Sequence, residues 1–333
     1  MKELLLNLQL FAWAEGQPGS PTTNPVNVTT QSSMSPTMKT FVDTYLLENS
    51  REVSVFTQFG KQESMHGNEI EWRKFNTFAK AMTPLQEGVI PSGQTFGMTS
   101  IKAQITQHGD YTVLTDRLTR EAFDNVVVGA SEEMGAAMGE TYDTLTRNIL
   151  VAGNSVMYCQ NGDTVIEKRS DITNECVLTP DMVKKAATWL KKNKAPKIDG
   201  YYVALIHPSV VYDLRGKEWE EYQKYSNPTP IFKGEIGELH GVKFIETNNA
   251  KIWKDADTCV YATLFLGKDA FGILKPDGEG TEMIIKTEDQ IGGPINQFST
   301  IGYKFCHGAK ILYQERMLRV ESGSSFGSDD EAN

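Results

Sequence analysis

Histidine and cysteine could supply metal ligation or nucleophilic chemistry, but their spacing in this chain forms no site. The five histidines are His66, His108, His207, His240 and His307. None shows the H-x-x-x-H or H-E-x-x-H spacing that puts two imidazoles on one helix face, so no helix-borne metal site is predicted. Cys306 and His307 are adjacent, but neighbouring residues of a strand point to opposite faces, which argues against joint ligation.

The cysteines indicate thiols rather than a disulfide framework. They are Cys159, Cys176, Cys259 and Cys306. They show no C-x-x-C spacing and no paired rhythm, so we expect reduced, mostly buried thiols, with a disulfide framework as the less favoured alternative.

Two glycine-rich loops have superficial likeness to ligand sites. GEIGELHG, with Gly234, Gly237 and Gly241, lacks both phosphate-loop patterns and precedes a strand instead of opening a helix. KPDGEGTE lacks the spaced carboxylates of a calcium loop, so Asp277-Gly278 is interpreted as a turn. The spacing therefore predicts no catalytic residue, no cofactor-binding residue and no metal ligand, and it does not support an enzyme.

The charge of the chain limits its partners. The 333 residues include 33 Lys or Arg and 43 Asp or Glu, a net charge of −10. Surfaces that hold nucleic acid tightly carry clustered basic residues, so this balance argues against such a surface. No segment approaches about 18 consecutive apolar residues, and no transmembrane helix is predicted.

The opening MKELLLNLQLFAWAEG has features of a secretory signal peptide, including Ala12-Trp13-Ala14 as a cleavage-like sequence. Its apolar run is interrupted by Asn7 and Gln9. A signal peptide needs an unbroken run of about 7–15 apolar residues, so we favour a retained assembly arm. Leu4, Leu5, Leu8 and Phe11 would share one face of a helix there.

The elements that follow the opening are an extended arm and then strands. Residues 16–40 are rich in Pro, Ser, Thr and Asn, which is typical of a linker without a core. Residues 60–115 alternate apolar and polar side chains, for example at Ile70, Trp72 and Ile101. This pattern predicts a long hairpin-like excursion with too few apolar positions to pack alone.

The middle of the chain predicts a long helix and then an α/β layer. Apolar residues recur every three to four positions over 116–150, which predicts a helix about 50 Å long. Asn161-Gly162 predicts a hairpin turn. Thr179-Pro180 opens a helix, YYVALIHP forms a strand, and several strand-like segments follow.

Several stretches resemble known capsid proteins. NLQLFA resembles the opening of many major capsid proteins of tailed phages that infect Gram-positive bacteria. TPLQEGVIPSG, the D-x-L-T-R start of the long helix, GEIGELHGVKFIETNNA, LFLGKDAFGI and GYKFCHGAKILYQERMLRVES are similar to the phage-N-four-type major capsid family. The resemblance covers about residues 40–320, and GEIGELHGVKFIETNNA is its most specific part.

The resemblance implies an α+β protein with the HK-ninety-seven-like capsid fold. Its parts would be an N-terminal arm (1–50), an E-loop hairpin (51–114), the spine helix of the P domain (115–152), an α/β A domain (153–275), the returning strands of the P domain (276–320) and an acidic flexible tail (321–333).

The implied function is that of a major capsid protein in the virion, assembled in the host bacterial cytoplasm. Pentamers and hexamers would close into an icosahedral or prolate head around double-stranded DNA, which is bound without sequence specificity. Scaffolding, portal and decoration proteins are possible partners. No cofactor and no membrane are implied. The residues expected at assembly interfaces are Leu5, Leu8, Phe11, Glu87, Gly88, Pro91, Gly93, Arg117 and Arg120.

Two other classes stay open at the level of sequence. An encapsulin-like compartment shares the implied fold and would hold a cargo enzyme in place of DNA. A secreted enzyme or adhesin would use the opening stretch as a signal peptide.

Overall fold

The structure is a computed structural model of the chain. It describes residues 54–64, 67–76, 78–82, 84–85, 87–88, 90, 93–121, 126–162, 164–215, 237–255, 258–274, 281–286, 288–291, 297–327 and 330–333. These residues fall into two compact units. The small unit comprises His108–Met138 and Thr281–Phe305, and the large unit comprises Glu52–Gln107, Gly139–Gly280 and Cys306–Asn333, in each case within the described ranges.

The described residues form fifteen strands and five α-helices, besides three short 3-10 helices. The strands are β1 (Lys61–Glu63), β2 (Glu69–Phe75), β3 (Met98–Gln104), β4 (Thr106–Thr115), β5 (Val156–Tyr158), β6 (Tyr202–Ile206), β7 (Glu238–Leu239), β8 (Val242–Glu246), β9 (Ile252–Asp255), β10 (Thr258–Leu266), β11 (Phe271–Leu274), β12 (Thr281–Lys286), β13 (Phe298–His307), β14 (Ala309–Ile311) and β15 (Met317–Ser322). The helices are α1 (Asp116–Glu121), α2 (Val126–Val151), α3 (Pro180–Lys192), α4 (Pro208–Leu214) and α5 (Glu288–Ile291).

A seven-stranded mixed sheet forms the centre of the large unit. Its strand order is β5-β15-β10-β6-β8-β7, and β9 pairs with β10. The sequence YVALI of β6 is buried throughout. Tyr202, Ala204 and Ile206 belong to the core on one face, whereas Val203 and Leu205 belong to the core on the other. A continuous apolar run is typical of a strand covered on both faces.

Helices cover both faces of this sheet. Met182 and Leu190 of α3 pack in one core, and Leu150 at the end of α2 packs in the other together with Phe56. The predicted start of α3 is confirmed, because the Thr179 side chain accepts a hydrogen bond from the backbone N–H of Met182 and Pro180 occupies the first helical position. The predicted alternation of strand and helix is therefore present in this unit.

The turn at Asn161-Gly162 is present, but it does not join a hairpin. Gly162 adopts a φ of 57° and a single bridge links Asn161 to Thr164. The strand before the turn, β5, pairs in parallel with β15 instead. The prediction of a hairpin was wrong because a local turn signal does not determine which strand the preceding residues pair with.

A buried polar cluster joins three segments of the large unit. Asp143 of α2 is fully buried and accepts a 2.7 Å hydrogen bond at Oδ1 from the backbone N–H of Phe56 and a 3.3 Å one at Oδ2 from Nδ2 of Asn249. Arg147, one turn along the helix, donates to the backbone oxygen and to Oδ1 of Asn249. Burial raises the pKa of Asp143 to about 6, although the hydrogen bonds act in the opposite direction.

The small unit combines a three-stranded sheet with helix. Its sheet has the order β12-β13-β4, and β12 and β13 run antiparallel with Met283 opposite Tyr303. The sequence predicts one helix over 116–150. The structure has α1 and α2 within this range, and residues 122–125 between them lie outside the described residues.

The end of the chain differs from the sequence-based expectation. The segment 276–320 was expected to return as one group of strands beside the long helix, but β15 lies in the large sheet, between β5 and β10. A mobile tail was expected over 321–333, yet Ser324 is buried and donates to the backbone oxygen of Ser209. Asp330 accepts from the hydroxyls of Tyr261 and Ser209. Hydrogen bonds to distant residues, which composition does not reveal, hold these residues in place.

Candidate assembly interface

The hairpin of β2 and β3 is anchored at one end only. The two strands pair antiparallel from Glu69 opposite Gln104 to Phe75 opposite Met98. At the anchored end, Ile70 and Trp72 of β2 and Ala103 of β3 are buried in a core that also contains Leu274 and Leu312. This is the alternation that the sequence predicts, and it fixes which face of the hairpin packs inward.

Trp72 packs against a glycine of the neighbouring sheet, which has the strand order β1-β11-β14. Gly272 of β11 lies under the indole, and a Cβ atom at this position would be 2.4 Å from Cε2 of Trp72. The indole is only 4% exposed. Because glycine has no side chain, the backbone of β11 can approach the indole closely. The Trp72 side chain therefore packs the anchored end of the hairpin against β11.

The other end of the hairpin, residues 75–98, carries an apolar surface that we call the hairpin tip. Its exposed large side chains are Phe75 (59% exposed), Phe78 (53%), Met82 (82%), Leu85 (78%), Ile90 (93%), Phe96 (60%) and Met98 (50%). The segment contains one lysine and one glutamate, Lys80 and Glu87. Exposed apolar groups gathered in this way mark an interaction surface, because leaving them in water is unfavourable.

Hydrogen bonds and ring contacts order the part of the hairpin tip that adjoins the two strands. The backbone N–H of Asn76 donates to the oxygen of Gly97 at 3.0 Å, which extends the ladder by one pair. Nε2 of Gln94 donates to the backbone oxygen of Ala79 at 2.8 Å. The rings of Phe75 and Phe96 stack with their centroids 5.0 Å apart. A surface ordered before binding loses less conformational entropy when a partner covers it.

Three residues expected at an interface lie in the described part of the hairpin tip. Glu87 and Gly88 form an exposed turn, in which Gly88 adopts a φ of 78° that favours glycine. Gly93 is exposed, and a Cβ atom there would meet no neighbour within 4 Å. Pro91 lies outside the described residues.

The remaining expected residues are separate from the hairpin tip in the chain. Leu5, Leu8 and Phe11 lie outside the described residues. Arg117 is exposed on α1 in the small unit. Arg120 belongs to the same helix, and its side chain is not among those described. Their contacts with other copies of the chain stay predictions.

Sequence reasoning named the turn residues of the hairpin tip as contacts and named none of its large apolar side chains. Phe78, Met82, Leu85 and Ile90 follow no helical or strand period, so pattern analysis gave them no role. The signal that could have found them is the occurrence of large apolar side chains in a turn-rich segment, where a loop facing only water would be polar.

The part of the chain that the structure describes bears on three other kinds of site: a metal cluster, a nucleophile elbow and a membrane-spanning helix. No group of three or more His, Cys, Asp or Glu side chains there could hold a metal ion. Gly323–Gly327 matches G-x-S-x-G, but none of the described residues after it, 330–333, is helical, whereas a nucleophile elbow joins a strand to a helix. None of the helices that the structure describes is long and apolar enough to cross a bilayer.

Comparison with known families decides the class of protein. A family model described as phage capsid protein matches residues 98–275, more than half of the chain. The chain belongs to the phage capsid protein family. The match includes all of β3, the long helix α2 and most of the large sheet. None of the curated proteins compared with the chain is a match.

Solved capsid structures share the fold at low sequence identity. The capsid of Ralstonia phage GP4 is 12% identical, with 96% of this chain and 100% of that chain covered and a TM-score of 0.62. The capsid of Cyanophage Pam1 is 10% identical, with coverage of 93% and 98% and a TM-score of 0.65. The similarity confirms the predicted α+β HK-ninety-seven-like fold.

An encapsulin shares the fold more distantly. The SrpI encapsulin complex from Synechococcus elongatus is 11% identical, with coverage of 85% and 91% and a TM-score of 0.54. The family match favours the phage over the compartment. The prediction of a phage major capsid protein, a structural component of the virion, is therefore confirmed.

Proposed function

We propose that copies of this chain assemble as pentamers and hexamers into a closed icosahedral or prolate head that encloses the double-stranded DNA of a tailed phage. The hairpin tip would cover apolar surface of a neighbouring subunit. The single observation that carries this proposal is the exposure of the hairpin tip, from Phe75 to Met98, on a hairpin anchored at its other end. A monomer would leave this surface in water, and a shell buries it.

Electron microscopy of the purified full-length chain tests the assembly directly. Negatively stained particles should be closed shells of uniform size, and classification by symmetry should reveal five-fold and six-fold clusters. A monodisperse species near the 37.1 kDa of one chain under all assembly conditions would contradict the proposal.

The role of the hairpin tip is tested by changing its most exposed side chains. Ile90→Ser and Phe96→Ser, separately and together, should reduce the yield of shells by tenfold or more while the unassembled subunit keeps its circular dichroism spectrum and melting temperature. The matched control is Val165→Ser, an equally polar change at an apolar residue that is 68% exposed elsewhere in the large unit. Wild-type shell yield from both tip variants would refute this role, as would loss of subunit folding.

The arm and the other partners complete the proposal. Residues 1–50 would extend over a neighbouring subunit, with Leu5, Leu8 and Phe11 as apolar contacts, and Arg117 and Arg120 would make ionic contacts between subunits. Assembly would take place in the host bacterial cytoplasm, with scaffolding, portal and decoration proteins as candidate partners. Amino-terminal sequencing of mature particles tests whether the arm is retained. A start at Glu15 would indicate cleavage after Ala14.

The content of the particles distinguishes the phage head from an encapsulin-like compartment, whose shared fold keeps it as the second candidate. Particles purified from infected cells should contain double-stranded DNA that resists nuclease until the shell is opened. A cargo enzyme in place of the DNA would favour the compartment.

A further inference from the structure

Helix α3 concentrates positive charge in an acidic chain. Residues 182–198 contain six lysines and no aspartate or glutamate. The rest of the chain holds 27 basic and 43 acidic residues. Four of the six lysines lie on the helix itself, at Lys184, Lys185, Lys191 and Lys192, and we call these four the lysine patch.

The lysine patch lies opposite the buried face of its helix. Met182, Val183, Ala186, Ala187 and Leu190 of α3 pack into the core of the large unit. The four lysines are exposed. The two lysine pairs are seven residues apart, which is about 10 Å along a helix and two turns on the same side.

Local acids do not neutralise these lysines. Other lysines of the chain face a nearby glutamate, as in the pairs Lys61–Glu63 and Lys304–Glu282, both 2.7 Å apart. Within the described ranges, no ion pair closer than 4 Å joins an acidic side chain to the lysine patch, and the one acidic residue of α3 is Asp181 in its first turn. The patch therefore presents four charges of one sign to the solvent.

The interaction with the helix dipole gives a reason for a lysine at only two of the four positions of the patch. Lys191 and Lys192 occupy the last turn of α3, where positive charge interacts favourably with the helix dipole. Lys184 and Lys185 lie in the first half of the helix, where a positive charge gains nothing from that dipole. The helix dipole therefore gives a reason for two of the four lysines, and all four are available to a partner outside the chain.

We infer that the lysine patch binds the phosphate backbone of double-stranded DNA, an inference that rests on the proposed function of enclosing a genome. A duplex carries one negative charge per about 1.7 Å of its axis, so lysines on two turns of one helix can reach several phosphates. The patch lacks the exposed apolar residues that form the centre of a protein interface, since Trp189 between the two pairs packs against the core. Duplex DNA therefore fits the patch better than an acidic protein.

The contact is weak and electrostatic. About four neutralised phosphates per subunit give an affinity that falls steeply with salt, and they read no sequence. Many copies in a shell would still hold the outer layer of a genome, because weak contacts add up when sites are linked. The net charge of −10 is the sum over the whole chain and does not show that positive charge is concentrated on α3.

The test compares two variants of equal charge in the full-length chain. The patch variant is Lys184→Gln, Lys185→Gln, Lys191→Gln and Lys192→Gln. The matched control is Lys61→Gln, Lys102→Gln, Lys268→Gln and Lys310→Gln, four exposed lysines of the same unit. Glutamine has a helix propensity close to that of lysine, and melting temperatures check that both variants fold. The binding probe is a short fluorescent duplex DNA in a salt series, and poly-glutamate serves as a second probe.

The expected result is a wild-type chain whose binding to the duplex weakens with salt. The patch variant should bind at least about tenfold more weakly at low salt, and the slope of log K against log salt should become shallower by roughly 3 to 4. The control should stay near wild type. Equal losses in both variants, no salt-dependent binding in the wild type, or binding of poly-glutamate in preference to DNA would overturn the inference.

Electron microscopy of the same samples distinguishes a failure of this inference from a failure of the proposed function. Shells formed by the wild-type chain support the proposed function whatever the DNA probe shows. If the wild type binds DNA through the patch and forms no shells, the proposed function fails while the site stands. If shells form and the patch variant binds DNA like the wild type, only the inference fails.

Discussion

At the scale of single residues, the contact between Gly272 and Trp72 predicts how much stability a substitution at Gly272 would remove. Gly272→Ala would place a Cβ atom 2.4 Å from a buried indole. We expect the free energy of unfolding to fall by about 1–3 kcal/mol, because the ring or the backbone must move in a packed core. Denaturant unfolding of the unassembled subunit measures this change.

The matched control for Gly272 is the same substitution at Gly129 of α2, which is exposed and where a Cβ atom meets no neighbour within 4 Å. Gly129→Ala should stabilise the chain by roughly 0.5–1 kcal/mol, because alanine is the better helix former. The packing argument would be contradicted if the two substitutions shifted stability in the same direction.

Asp143 predicts an unusual dependence of stability on pH. Its pKa is about 6 in the folded chain against 3.8 for the exposed group, so between these values the folded state holds a proton that the unfolded state has released. Stability should therefore fall as the pH rises from about 4 to 6, by up to roughly 2–3 kcal/mol from this group. Asp143→Asn should remove this pH dependence in denaturant unfolding across that range.

Asp171→Asn, at an exposed carboxyl group, is the control for Asp143. It should leave the pH profile of stability close to that of the wild type. A wild-type stability that rises between pH 4 and pH 6, with the rise lost in Asp143→Asn, would show that the hydrogen bonds of Asp143 outweigh its burial.

At the scale of elements, the start of α3 depends on a side-chain cap. Thr179→Ala removes the acceptor for the backbone N–H of Met182 and should cost about 1 kcal/mol of stability, whereas Thr179→Ser should retain most of it. Thr188→Ala in the middle of the same helix is the control and should be neutral or stabilising, because its hydroxyl bonds only to the backbone one turn back. A loss at position 188 equal to that at 179 would contradict the capping role. Thermal unfolding monitored by circular dichroism measures the stability of all three variants and of the wild type.

Elements with strong local signals could be predicted from the sequence. Thr179-Pro180 located the start of α3, and the apolar run from Tyr202 to Ile206 located β6. The position of β15 could not be predicted, because strand pairing is decided by residues that are far apart in the chain. The apolar hairpin tip was missed for a related reason, since its side chains follow no period and their exposure is visible only in three dimensions.

At the scale of the whole molecule, the burial of the four cysteines predicts which thiols a reagent can reach in the native chain. None of the four forms a disulfide; Cys159, Cys176 and Cys259 are buried and Cys306 is partly exposed. Burial raises the pKa of Cys159 to about 12, which suppresses its reactive thiolate. A thiol reagent should therefore label at most Cys306 rapidly in the native chain and all four cysteines after denaturation. Reductant should leave the melting temperature unchanged. A lower melting temperature in reductant would reveal a disulfide and contradict this prediction.

The placement of β15 has a consequence for the timing of biosynthesis. This strand joins β5, at one edge of the large sheet, to β10, but it is made after every other strand of that sheet as the chain emerges from the ribosome. Until β15 is made, β5 has no partner in this sheet, and the pairing of β5 with β15 spans a long sequence separation. The large sheet is completed only when this strand has been made. Unfinished or prematurely terminated chains would lack this strand, so they could not present a finished subunit to a growing assembly.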